Sequence, residues 1–224
     1  MAIVVHHLNN SRSQRVLWLL EELGLDYEIV RYQRDPATML APDSLRRIHP
    51  LGKSPVVTDG DLVLAESGAI VEYLVDRYGK DRLAPARGTP EHLRYTYWLH
   101  YAEGSAMPPL LLKLIFQRVA SARAPFFVKP IAKAIAAKVN ATFIDPQLRL
   151  HLDYLENELG KHAWFVDDAF GAADIQMSFP VEAAARGSLL ANRPRLTGWL
   201  GSIHARPAYR RALERGGPYD YAAD

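Results

Sequence analysis

Ser11 opens the first of three short segments whose side chains could bind one common ligand. Because Gln14 follows three residues later, the pair matches a capping box, in which both side chains satisfy backbone N–H groups at a helix start. The same Ser11 hydroxyl could instead donate a hydrogen bond to a bound thiolate. A free thiol has a pKa of about 8.5, and a donor at the positive end of a helix would lower it. The local sequence favours the cap and leaves the thiolate role open.

The second segment places Lys53 two residues before Pro55, at the mouth of a predicted strand. Proline there cannot donate to the strand ladder. An ordinary trans proline is one interpretation, since only about 5–6% of X–Pro bonds are cis. The alternative is a cis Pro55 that turns the Val56 backbone towards a peptide-like ligand, with Lys53 meeting a carboxylate.

The third segment, Glu66 and Ser67, comes directly before a predicted helix. It is either a plain helix start or an anion site, in which the Ser67 hydroxyl and the helix N-terminus bind a carboxylate. Glu66 would then accept a hydrogen bond from an ammonium group. Taken in order, the three segments describe a site for a tripeptide with a thiol, an amino-acid head and a second carboxylate.

The elements that must position these segments alternate strand and helix. The patterns predict strands over residues 3–5 and 27–30, a helix that ends at Gly24, a hairpin over residues 55–64 and a helix that ends near Gly79. The Asp59-Gly60-Asp61 sequence supplies the hairpin turn. The predicted order is β-α-β-(α)-β-β-α.

Residues 80–90 are rich in proline and glycine and read as a linker. Beyond the linker, helical patterns without a convincing strand cover residues 91–121, 126–159, 174–186, 196–203 and 208–214. We therefore predict a small α/β domain over residues 1–80 and an all-helical domain over residues 91–224.

Composition excludes several classes of function. The chain has no cysteine, which rules out disulfides, thiolate zinc sites and a cysteine nucleophile, so any thiol chemistry must use a sulfur from the ligand. Lys+Arg 27 and Asp+Glu 25 nearly cancel, which is unlike a dedicated nucleic-acid binder. His6 and His7 are neighbours on a strand and should point to opposite faces, so we expect no metal site.

The hydrophobic runs are short. Residues 110–116 form the longest apolar block, and this block contains Lys113 and is far too short for a membrane span. The first residues lack the basic and apolar regions of a signal peptide. We expect a cytoplasmic protein with no membrane and no nucleic-acid partner.

The chain resembles the cytosolic glutathione S-transferases, and more closely a branch of that family found in fungi and bacteria. The segments that carry the resemblance span nearly the whole chain: residues 11–23, 48–55, 64–68, 101–109 and 171–180. The resemblance implies a thioredoxin-like domain followed by a helical domain, and a homodimer.

The resemblance also assigns the residues that bind glutathione, the co-substrate. It implies a cis Pro55, contact of Lys53 with the glycyl carboxylate and pairing of the Val56 backbone with the cysteinyl backbone. Glu66 and Ser67 correspond to the residues that hold the γ-glutamyl end.

Ser11 aligns with the serine that some classes use to stabilise the thiolate of glutathione. Asn9 and Asn10 are nearby donors and are alternatives to Ser11. Classes that form mixed disulfides with glutathione have a cysteine in place of Ser11, so this chain lacks that chemistry. Near the start of a helix, Gly171 stands where the family normally has Ser or Thr, and we interpret Asp174 as structural.

The activity that the resemblance implies is conjugation of the glutathione thiolate to hydrophobic electrophiles, as in detoxification. The electrophile would lodge against the helical domain, near Tyr97, Tyr101, Met107 and Leu111, which are equally plausible as core residues. Two alternatives are a glutathione-dependent peroxidase acting on organic hydroperoxides and a non-catalytic binding or regulatory protein on the same fold.

Overall fold

A computed structural model describes residues 2–222. Met1, Ala223 and Asp224, which fall within the predicted domain ranges, lie outside the described residues. The N-terminal part contains four strands: β1 (Ile3–Leu8), β2 (Tyr27–Tyr32), β3 (Val56–Asp59) and β4 (Leu62–Ala65).

The strands form one mixed sheet in the order β2-β1-β3-β4. β1 runs parallel to β2 and antiparallel to β3, and the two-residue turn between β3 and β4 closes the predicted hairpin. β1 is an inner strand with side chains buried on both faces, which explains its nearly continuous apolar sequence.

Three helices accompany the sheet: α1 (Ser13–Leu23), α2 (Asp43–Arg46) and α3 (Ser67–Tyr78). α1 is almost wholly buried because it packs against the sheet and also against helices of the C-terminal part. It ends at Gly24, whose φ of 69° lies in the left-handed region that favours glycine. The predicted thioredoxin-like arrangement is confirmed.

The C-terminal part is helical, as predicted. Its helices are α4 (Pro90–Tyr101), α5 (Met107–Ser121), α6 (Lys129–Val139), α7 (Asp145–Glu158), α8 (Ala172–Arg186), α9 (Pro194–His204) and α10 (Pro207–Gly216). Two π-helical segments, Ala102–Ala106 and Asn140–Ile144, join α4 to α5 and α6 to α7. Within residues 2–222, no helix has the length and apolar character needed to cross a lipid bilayer.

Asp174 organises the centre of the helical part. Its carboxylate accepts hydrogen bonds from the backbone N–H groups of Gly171 and Phe165, both at 3.0 Å, and from the Trp199 indole at 3.1 Å. Gly171 is the N-cap of α8. Burial outweighs these hydrogen bonds and raises the pKa of Asp174 to about 6. The structural interpretation of Asp174 is confirmed.

We expect the Asp174→Ala variant to lower the free energy of unfolding by about 3 kcal/mol or more, because three donors, two of them buried, lose their acceptor. Urea unfolding measures the change. Asp168→Ala is the control, since Asp168 accepts one exposed N–H, from Ala163, and its loss should cost less than about 1 kcal/mol. Equal losses in the two variants would contradict this role of Asp174.

Candidate active site

A cleft of about 940 Å³ opens between the N-terminal part and the helical part. It brings together most of the predicted site residues, which lie far apart in sequence. Those that line it are Ser11, Lys53, Pro55, Glu66, Ser67, Met107 and Leu111. Pro55 and the polar residues come from the N-terminal part, next to the ends of its strands and helices. Met107 and Leu111 come from α5.

Tyr97 and Tyr101 do not line the cleft, which corrects their expected place in the electrophile pocket. Both rings pack against Trp98, with centroids 5.0 and 5.2 Å away, and the Tyr101 hydroxyl lies 2.6 Å from His151 Nδ1. This face of α4 is turned towards α7, because Trp98 also stacks on Tyr154. The apolar lining includes other residues that sequence reasoning missed: Leu110, Leu114, Phe179 and Leu189.

The second predicted segment crosses the floor of the cleft. The Ser54–Pro55 peptide bond is cis, as the resemblance implies. The Val56 side chain is fully buried in β3 and is absent from the lining, so only its backbone is a candidate for ligand pairing. Lys53 is exposed on the lining.

Ser11 lies just before α1 with 3% of its surface exposed. Its hydroxyl is 2.7 Å from the Ser13 hydroxyl and 3.4 Å from that of Ser54. It also accepts a hydrogen bond from the backbone N–H of Ser13 at 3.3 Å. The predicted capping box does not form: Arg12 occupies the N-cap position, and the buried Gln14 amide has no partner within residues 2–222.

The hydrogen-bonded chain continues from Ser13 to His7, whose Nδ1 lies 2.8 Å from the Ser13 hydroxyl. Burial, and then the charge of Arg31, lower the pKa of His7 to about 4, although a hydrogen bond to the Gly216 carbonyl acts in the opposite direction. His7 is therefore a neutral imidazole at neutral pH. His6 points to the other face, towards the Tyr32 hydroxyl, as expected for strand neighbours.

The rival donors Asn9 and Asn10 use their amide oxygens to hold neighbouring loops. Asn9 accepts a hydrogen bond from the backbone of Arg34, and Asn10 accepts one from the backbone of Asp220. Of the two, Asn10 lines the cleft and Asn9 does not. Asn10 is therefore the alternative to Ser11 that geometry leaves open.

A partly buried ion-pair network adjoins Ser67, and the sequence analysis did not identify it. Two of its members, Arg12 and Glu103, line the cleft. The Arg15 side chain is 1% exposed and pairs with Glu103. It also donates to the Ser67 hydroxyl at 3.3 Å and to the backbone carbonyl of Gln176. Arg12 donates to the same Glu103 carboxylate at 2.8 Å. One carboxylate from the helical part thus pairs with two arginines of the N-terminal part, and the cluster keeps a net positive charge.

Glu103 sits in the π-helical segment between α4 and α5. Burial by itself raises the pKa of Glu103, but the charges of Arg15 and Arg12 outweigh burial and hold this pKa below its usual value. The carboxylate is therefore ionised at neutral pH. The position of Arg15 in the first turn of the buried helix α1 could have indicated a buried ion pair. Its partner Glu103, however, lies 88 residues away in the sequence.

Across residues 2–222, no three His, Asp or Glu side chains come together as metal ligands. The cationic side chains Arg34, Lys53 and Arg118 lie on the same lining as the serines. The cleft therefore suits a ligand that carries both anionic groups and apolar surface.

A mixed four-stranded sheet with a cis proline before β3, joined to a helical part across this cleft, defines the glutathione transferase fold. Residues 2–76 match the family "Glutathione S-transferase, N-terminal domain", and residues 125–207 match "Glutathione S-transferase, C-terminal domain". The chain belongs to the glutathione S-transferase family, which is a family of enzymes that use glutathione.

Similar proteins come from fungi and bacteria, in agreement with the resemblance. Glutathione S-transferase 1 of Saccharomyces cerevisiae is 34% identical, over 95% of this chain and 94% of the yeast protein. Glutathione S-transferase 3 of Schizosaccharomyces pombe is 36% identical, over 95% and 87%. A glutathione S-transferase structure from Actinobacillus pleuropneumoniae has a TM-score of 0.80 and 34% identity, over 99% of this chain and 96% of that chain.

We expect Glu103→Gln to lower the free energy of unfolding by about 3 kcal/mol, because it leaves the buried Arg15 cation without a negative partner. This loss of stability is at the low end of the range for buried ion pairs, because the Glu103 side chain is 30% exposed. The pKa of Glu103 is lower in the folded protein, so its contribution is complete above the ordinary value of 4.5 and is lost as the pH falls through the folded-state value.

Urea unfolding between pH about 3 and about 7, a range that brackets the titration of carboxylates, checks this expectation. The stabilities of the wild type and Glu103→Gln should converge as the pH falls. The exposed Glu91 of α4 provides the control variant Glu91→Gln. If the difference between wild type and Glu103→Gln is the same at every pH, the ion pair is not its source.

Proposed function

We propose that this transferase binds glutathione in the cleft, that Ser11 stabilises its thiolate, and that the thiolate attacks a hydrophobic electrophile. The observation that carries the proposal is that Ser11 and the N-terminal end of α3 line the same cleft as apolar residues of α5. Membership of the family supports glutathione as the source of the sulfur. The absence of cysteine from the chain agrees with it.

The γ-glutamyl end of glutathione is proposed to bind at the start of α3. Ser67 would hold the α-carboxylate with the positive end of the helix, and Glu66 would accept from the α-ammonium group. Arg15 supports this placement, because its guanidinium donates to the Ser67 hydroxyl and adds positive potential behind it. Glu66 is exposed on the lining and is therefore available to a ligand.

The rest of the tripeptide is proposed to follow the floor of the cleft. The cysteinyl backbone would pair with the backbone of Val56, just after the cis Pro55. Lys53 would meet the glycyl carboxylate as an exposed cation on the same lining. These contacts would fix the sulfur near Ser11, where the hydroxyl and the start of α1 favour a negative charge.

The electrophile is proposed to occupy the apolar end of the cleft, against Met107 and Leu111. Leu110, Leu114 and Phe179 extend the same apolar surface. Tyr97 and Tyr101 lie outside this lining and would support α4 instead. A thiolate held here would also reduce an organic hydroperoxide, which is the alternative activity, and a protein that bound glutathione without turnover would be the non-catalytic alternative.

We also propose that residues 1–80 and 91–224 are the two domains and that the chain forms a homodimer. Four exposed apolar side chains on β4 and α4 support the homodimer: Leu62, Val63, Leu93 and Tyr97. Burial of such side chains against a second copy is a favourable source of association energy. Detoxification of electrophiles in the cytoplasm is the role that we propose for this chemistry.

The Ser11→Ala variant tests the proposed catalytic role. We expect kcat with an aryl halide electrophile to fall about 10- to 100-fold at saturating glutathione, because one donor to the developing anion is lost. Asn10→Ala is the matched variant and should change kcat less than about threefold if Asn10 is not that donor. Full turnover in Ser11→Ala with a large loss in Asn10→Ala would transfer the role to Asn10. Parallel assays with cumene hydroperoxide separate conjugation from peroxidase activity.

Lys53→Met tests the proposed binding pose. The loss of one charged hydrogen bond to a carboxylate should raise KM for glutathione about tenfold or more and leave kcat nearly unchanged. Lys129→Met, on the first turn of α6, is the control. A loss in kcat with an unaltered KM would place Lys53 away from the glycyl carboxylate.

A further inference from the structure

A chain of three hydrogen-bonding side chains runs from the cleft into the sheet. The Ser11 and Ser13 hydroxyls are 2.7 Å apart, and the Ser13 hydroxyl is 2.8 Å from His7 Nδ1. All three residues are at most 5% exposed. At the inner end, the backbone carbonyl of Gly216 favours a proton on the His7 ring. Only the Ser11 end reaches the cleft lining, so the chain connects the ligand site to one buried base.

Each of these close contacts holds one proton, so the position of the His7 N–H sets the direction of the chain. Two longer contacts offer other acceptors, the Ser54 hydroxyl at 3.4 Å from Ser11 and the Leu8 carbonyl at 3.5 Å from Ser13. A neutral imidazole has one N–H. When His7 gives this N–H to the Gly216 carbonyl, its Nδ1 accepts from Ser13, and Ser13 accepts from Ser11. The single proton of Ser11 then points inward. In this state Ser11 can accept a hydrogen bond from a thiol but cannot donate one to a thiolate.

The direction reverses if the thiol proton enters the chain. We propose that His7 is the acceptor of the glutathione thiol proton, which it receives through Ser13 and Ser11, and that it is thereby the positioning residue that turns the Ser11 hydroxyl towards the thiolate. The inference rests on the proposed function of Ser11. His7 itself does not touch the ligand.

The proton transfer balances without any other reactant. The S–H bond breaks as a new O–H bond forms on Ser11, the original Ser11 proton passes to Ser13, and the original Ser13 proton passes to His7 Nδ1. The products are a thiolate and an imidazolium. Every close contact still holds one proton, and Ser11 now donates to the sulfur.

The surroundings of His7 keep it neutral until a thiolate forms. The charged group beside it is Arg31, its register partner on β2, which disfavours a second positive charge. α1 presents the uncharged Ser13 and Gln14, and α10 presents the Gly216 carbonyl, which favours the cation. Because burial and Arg31 lower the pKa of His7 to about 4, the transfer at neutral pH requires the thiolate to raise that pKa above about 7, so that the two groups titrate as one coupled pair.

Counting protons tests this inference in the intact protein. Glutathione is added to the protein at a pH of about 7. Ultraviolet absorbance gives the amount of thiolate formed, and calorimetry in buffers of different ionisation enthalpy gives the protons released to solvent. We expect a wild-type thiolate with close to zero released protons, whereas direct loss of the proton to solvent would release about one proton per thiolate.

Variants along the chain separate proton transfer from a purely structural effect. His7→Gln and Ser13→Ala should each form less thiolate and release about one proton for each thiolate that remains. Ser13→Thr restores a hydroxyl and should restore the wild-type count. His6→Gln is the matched control, because His6 is the buried neighbour that faces Tyr32 instead. If His7→Gln fails to fold, the proton counts of the wild type, Ser13→Ala and Ser13→Thr still distinguish transfer to His7 from release to solvent.

The outcomes distinguish this inference from the proposed function. A wild-type thiolate that releases about one proton to the buffer overturns the role of His7 and leaves Ser11 as the thiolate donor. The absence of any wild-type thiolate overturns both proposals. A count close to zero that rises in Ser13→Ala and returns in Ser13→Thr supports the chain from Ser11 to His7.

Discussion

A guanidinium with almost no exposure to water needs a negative partner and several acceptors, because its desolvation is otherwise too costly. In this transferase, Arg15 obtains the charge of Glu103 and the backbone carbonyl of Gln176 from the helical part. The same guanidinium donates to Ser67 in the N-terminal part. A contact between the two parts therefore also reaches the start of α3, where the γ-glutamyl end is proposed to bind.

The two walls of the cleft come from different elements of the fold. The polar wall consists of Ser11, Lys53, Glu66 and Ser67, which lie at ends of strands and helices packed against one rigid sheet. The apolar wall comes mainly from α5, beyond the π-helical segment that carries Glu103. The polar wall thus suits one fixed co-substrate, and the apolar wall is where differences in electrophile specificity would arise.

The sequence was sufficient for the features that local patterns determine. The strand and helix order and the helix end at Gly24 follow from short segments of the chain. The polar wall of the cleft combines three such segments that are far apart in the chain, and the family resemblance was what assigned them to one ligand. The Arg15–Glu103 pair and the Ser13–His7 contact were missed because they depend on how distant or opposite-facing segments pack. Tyr97 and Tyr101 were misplaced for a related reason: helical spacing shows that two residues share a face, but not which neighbouring helix that face meets.

The proposed activation of the glutathione thiol in the cleft is tested by the pKa of that thiol in the complex. A pH titration of thiolate absorbance for glutathione bound to the wild type and to Ser11→Ala measures it. We expect a bound-state pKa well below the free value of about 8.5 and a return towards that value in the variant. A bound thiol with an unshifted pKa in the wild type would contradict it.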